Sequence, residues 1–183
     1  MQSERLILSL IKQTNEITKQ AEACKHLDIE TLRWKPNAPS WNTLECFEHL
    51  NLYGRFYLPE MEKKIRNAKA VNDREFKSGV LGGYFAKSML PKTKLNKMKT
   101  FKDKNPLDQR LDKSVIEEFL QQQTKLLTLL QQSRKVSLNK VRINTSISSL
   151  IKLKLGDTFQ FFINHIIRHM QQIERLQNTM KKS

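Results

Sequence analysis

The chain has 183 residues, 38% of them hydrophobic and 28% charged, which excludes an intrinsically disordered protein and leaves room for a substantial core. Five glycines, five prolines and two cysteines exclude collagen-like and disulfide-framework classes. The formal net charge of +15 attracts anions non-specifically, but no aromatic-rich nucleic-acid motif accompanies it, so no specific nucleic-acid partner is expected.

Leu, Gln, Lys, Glu and Ile are abundant, so helix is the expected structure. Residues 3–26 carry Leu6, Ile7, Leu10, Ile11, Ile17, Ala21 and Cys24 at amphipathic spacing and form a first helix. Glu4 and Arg5 precede its short apolar patch and Lys12 follows, unlike a signal peptide. Nowhere do about 18 apolar residues run together, so no membrane partner is expected. Two cysteines without a framework fit a reduced, cytoplasmic setting. His26 at the helix end is a poor metal-ligand candidate, since a hydrogen-bonding group is ordinary there. Residues 27–40, with Trp34, Pro36 and Pro39, read as a connection.

A second helix starts near Asn42 and runs to about Lys69. Asn42 and Glu45 have capping-box spacing, and Trp41 precedes them where it can staple against Cys46. Leu44, Phe47, Leu50, Tyr53, Phe56 and Tyr57 supply the apolar side. His49 falls among Cys46, Tyr53 and Phe56 on that side, so it requires a hydrogen bond or a metal. Pro59 is expected to kink or restart the helix.

Residues 70–110 are the least regular, with some helix around Tyr84–Leu90. In the segment 87–104, Lys87, Lys92, Lys94, Lys97, Lys99, Lys102 and Lys104 face a single acid, Asp103. It reads as a solvated crossover or as an entrance that attracts an anionic substrate. The third helix covers 114–134, with Val115, Phe119, Leu126, Leu127, Leu129 and Leu130 on its core side. The segment 134–154 is basic, with no acids, and reads as a connection with little regular helix. The fourth helix follows, with Asp157 or Thr158 as its cap.

That last helix carries His165 and His169 one turn apart, at the margin of the stripe Phe159, Phe162, Ile166, Met170 and Ile173. Two such imidazoles can be core-edge histidines, or can share one metal ion if a third ligand comes from elsewhere. Glu45 and Tyr53 each lie one turn from His49 and are the catalytic candidates; capping and core packing are the alternative roles for them. Gln172 has the spacing to hydrogen-bond His169. Arg168 either binds a substrate carboxylate or faces solvent. Cys46 reads as a small buried apolar residue.

The run Trp41-Asn42-Thr43-Leu44-Glu45-Cys46-Phe47-Glu48-His49-Leu50 resembles the helix-two signature of the DinB/YfiT-like family. Leu155-Gly156-Asp157, followed by His165, Arg168-His169 and Gln172-Ile173, resembles the family's last helix, and Lys104-Asn105-Pro106 its central connection. The resemblance implies an all-α fold, a four-helix bundle with long crossover connections, as one domain over 1–183. It implies a metal site at one end of the core with His49, His165 and His169 as ligands. It further implies a divalent ion, zinc or nickel, and in some relatives a low-molecular-weight thiol used in transfer or isomerisation. It leaves a small-molecule substrate open, and an apolar outer helix face could support a homodimer. A non-catalytic metal-binding or interaction bundle is the alternative function.

Overall fold

The computed structural model describes residues 1–71, 73–90, 100–148 and 150–182. Lys92, Lys94, Lys97 and Lys99 of the basic crossover lie outside these residues. Helices α1 (Ser3–Lys25), α2 (Ile29–Arg33), α3 (Thr43–Arg66), α4 (Val80–Met89), α5 (Ser114–Ser133) and α6 (Leu155–Met180) are joined by a 3-10 turn at Lys102–Lys104 and by strands β1 (Arg142–Asn144) and β2 (Lys152–Lys154). The four long helices form the bundle. Both α1 and α3 pack on α5, and both also pack on α6. Their apolar stripes meet in one core that includes Leu10, Ile17, Phe47, Tyr57, Phe119, Leu126, Phe159 and Phe162.

The starts of α2 and α3 are set locally. Asn42 and Glu45 form the expected capping box: Asn42 Oδ1 accepts from the Glu45 N–H at 2.9 Å, and Glu45 Oε2 accepts from the Asn42 N–H at 2.8 Å. Pro59 does not end α3, which continues to Arg66. Proline removes the one backbone donor that would pair with the Arg55 carbonyl, and Arg55 itself is exposed.

The connections are more ordered than their composition suggests. Part of 27–40 forms the short helix α2, capped by Asp28, whose carboxylate accepts from the Thr31 N–H at 2.7 Å. The basic segment after α5 contains an antiparallel hairpin with Arg142 opposite Lys154 and Ile143 opposite Leu153. Its inner residues Ile143 and Leu153 are buried while Arg142 and Lys152 are exposed, the alternation of a half-buried strand. Glu60 of α3 accepts from Asn144 Nδ2 at 2.7 Å and holds the hairpin on the bundle.

Asp157 does not cap its own helix. α6 begins earlier, at Leu155, and no side chain caps it. The buried Asp157 carboxylate instead accepts from the Gly79 N–H at 2.9 Å and from the Ser78 hydroxyl, at the start of α4. It is a cap supplied across the fold. Gly82 admits the close approach, because a Cβ there would lie 2.4 Å from the same carboxylate. Gly156 makes room likewise: its Cβ would lie 2.5 Å from the ring of buried Phe76. The Leu155-Gly156-Asp157 run is thus explained by docking of the 76–82 segment. Gly156→Ala is expected to destabilise the protein by about 1–3 kcal/mol through overpacking against a rigid ring. Urea unfolding reads this directly, and an unchanged midpoint would contradict the close contact.

Candidate metal centre

His49 projects from the N-terminal third of α3, and His165 and His169 project from α6. Because α3 packs on α6, the first imidazole meets the other two. All three are buried. His165 Nε2 lies 3.1 Å from His49 Nε2 and 3.1 Å from His169 Nε2. The three side chains form a group whose ligand atoms all lie within 4.8 Å of one another.

Hydrogen bonds outside this triangle set two of the tautomers. The Lys104 carbonyl lies 2.7 Å from His49 Nδ1. A carbonyl only accepts, so Nδ1 carries the proton and Nε2 keeps a bare lone pair. Gln172 Oε1, 3.0 Å from His169 Nδ1, has the same effect one turn along α6. The bond foreseen between Gln172 and His169 is therefore present. His165 Nδ1 is buried without a hydrogen-bond partner among the described residues. Neutral His165 has one ring proton, so its Nε2 can donate to only one of its two neighbours, and at least one pair of lone pairs then faces head-on.

A cation removes this conflict. Zinc–nitrogen bonds of about 2.0–2.1 Å in tetrahedral geometry place ligand nitrogens roughly 3.3 Å apart. The observed 3.1 Å separations are near that spacing. The donor set also fits, since three neutral imidazoles suit zinc-like ions. Burial drives the His49 pKa down to about 4, the Lys104 carbonyl opposing and the Lys104 charge assisting. Burial also holds His165 and His169 well below the usual histidine value, with neighbouring imidazoles and the Arg168 charge adding to it. At neutral pH all three imidazoles are uncharged and ready to ligate.

Aromatic rings close the surroundings. Trp41, read from the sequence as a staple for Cys46, has its ring 4.6 Å from that of His49 and stacked 5.8 Å from that of His169. Its Nε1 donates to Asn105 Oδ1 at 3.1 Å, tying it to the segment that supplies the Lys104 carbonyl. Tyr53 packs 4.6 Å from the His165 ring, and burial pushes its phenol up to about 12. Phe161 stacks on His165 at 6.2 Å.

The two catalytic candidates differ in what occupies them. One Glu45 oxygen accepts from the Asn42 N–H. The other accepts from the Asp108 N–H at 2.7 Å and pairs with Lys35 at 2.9 Å. Its carboxylate thus closes the cap and anchors residue 108. Tyr53 lies against His49 and His165 themselves. Arg168 is buried rather than turned to solvent. Cys46 is fully buried, which raises its thiol pKa and keeps it protonated. The role of Trp41 was not visible in the sequence, because its signal is a tertiary contact with α6; only its place in the Trp41–Leu50 run pointed to it.

A family model described as the DinB superfamily matches residues 16–173. No curated protein and no solved structure matches the chain. The match spans all three histidines and most of the bundle, and the chain belongs to the DinB superfamily.

Proposed function

We propose that this DinB-superfamily member is a metal-dependent enzyme. It binds one divalent ion, zinc or nickel, through His49, His165 and His169, and acts on a small molecule by thiol transfer or hydrolysis. The observation that carries this reading is the buried meeting of three Nε2 atoms, two of them held as lone pairs by bonds at the opposite ring nitrogen. A purely structural cluster gains nothing from that arrangement, because buried polar atoms are ordinarily paired with complementary groups.

When bound, the ion supplies Lewis acidity that lowers the pKa of a water or thiol at an open position. The protein's own groups do the rest. Lys104 and Gln172 orient the imidazoles through Nδ1. Trp41 shields one side from bulk water, which strengthens electrostatic effects inside. Tyr53 keeps its proton at neutral pH because burial raises its pKa to about 12. Its phenol O–H is the candidate donor to a leaving group, whereas Glu45 serves the cap.

The second reading is metal binding without turnover. Full engagement of Glu45 favours it, since no carboxylate among the described residues belongs to the histidine group. The test is a panel of biological thiols with carbon electrophiles, plus ester and amide substrates, assayed with zinc- and nickel-loaded protein. Metal-dependent turnover that falls at least tenfold in Tyr53→Phe, with metal content unchanged, supports catalysis. Stoichiometric metal with no turnover across the panel establishes the binding role instead.

A further inference from the structure

We propose that the outer face of α4 is a docking surface for an anionic lipid bilayer. Val80 is 97% exposed, Tyr84 67%, Leu81 46% and Leu90, just past the helix end, 44%. Single exposed apolar side chains are ordinary, but four along one ten-residue helix and its end form a patch. The helix does not have these residues outward by default. Its other face is already committed: Gly82, Ala86 and Met89 are buried, Asn164 Nδ2 donates to the Ala86 carbonyl at 2.9 Å, and Asp157 caps the start. The apolar side chains are therefore held outward by a fixed scaffold.

Charge identifies the occupant. Lys77 and Lys87 are exposed at either end of the patch, and residues 76–90 contain no acid. Lys154 reaches the same end, with Nζ 2.6 Å from the Lys77 carbonyl. A second copy of the chain would bring lysine against lysine on a body already carrying +15. Nucleic acid would satisfy the lysines but offers nothing to aliphatic Val80, Leu81 and Leu90. A bilayer with anionic headgroups accepts both, with apolar side chains below the headgroups and ammonium groups among them. No described helix is long and apolar enough to cross a membrane, so the contact is interfacial. This departs from the expectation of no membrane partner, which considered only a spanning segment.

The test is sedimentation of the full-length protein with vesicles of phosphatidylcholine alone and of phosphatidylcholine mixed with phosphatidylglycerol. Binding is expected to the mixed vesicles only, and to weaken with added salt. The double variant Val80→Ser, Tyr84→Ser and the double variant Lys77→Glu, Lys87→Glu should each lower partitioning about tenfold, with circular dichroism unchanged. Absence of binding to mixed vesicles overturns the proposal. Equal binding by the Val80/Tyr84 variant overturns it too, because the attraction would then be charge alone. Stronger binding to single-stranded RNA than to mixed vesicles, insensitive to the serine substitutions, would assign the basic surface to nucleic acid instead.

Discussion

His165→Ala is expected to abolish stoichiometric binding of a divalent ion. His165 Nε2 is the nitrogen that sits 3.1 Å from both of the others, so its removal leaves two imidazoles and no three-point site. Loss of a partner that only orients a ligand costs about 10–100-fold in affinity. Loss of the central ligand should exceed a hundredfold. Gln172→Ala supplies the comparison, because it removes only the acceptor at His169 Nδ1 and should fall inside the smaller range. Calorimetric titration of the metal-free protein with zinc, paired with metal analysis and circular dichroism, separates lost affinity from lost fold. A folded His165→Ala protein that still binds one ion with unchanged affinity would end the three-histidine account.

The metal-free protein should also lose stability in mild acid. An unfolded histidine titrates near 6.5, whereas the folded values are depressed. Below pH 6.5 the unfolded chain takes up protons that the folded chain refuses, so the equilibrium moves toward unfolding. The stability contribution is complete above pH 6.5 and drains away as pH falls toward the folded values. For His49, a descent from 6.5 to about 4 corresponds to about 3 kcal/mol, and His165 and His169 act in the same direction. Asp73 acts in a lower window. Burial raises Asp73, but bonds from Ser137 and Asn139 outweigh it and hold the group below its ordinary 3.8. Urea midpoints measured between pH 4.5 and 7.5, about the window set by these values, should rise with pH. The slope should be shallower by about one proton in His49→Gln. A flat profile in the parent protein would show that the three rings are not held neutral by burial.

The long helices were legible because each repeats an apolar stripe over about four turns or more. The capping box at Asn42 was legible because its two bonds span only three residues. The histidine cluster was legible in parts: His165 and His169 by spacing, and His49 by its place among apolar neighbours. Their meeting depends on α3 packing against α6, which local pattern does not encode and which the family resemblance implied. What escaped was non-local in another way. Asp157 looked like the cap of its own helix because its true partner, the Gly79 N–H, is 78 residues away. The β-hairpin escaped because each strand is three residues long, too short to show alternation above noise. The continuation of helix past Pro59 was legible, and α3 runs through that proline to Arg66 without restarting.

The indole of Trp41 has one further use. Stacked on His169 and tilted against His49, it is a natural optical reporter: an ion with partly filled d orbitals, such as nickel, arriving beneath it would drain its excited state, while zinc with its filled shell would leave the emission bright. Trp34, seven residues earlier, offers a second chromophore, so Trp34→Phe yields a protein whose fluorescence comes from the lid of the cluster alone. The same ring that keeps water from the histidines then tells, by its brightness, which metal lies behind it.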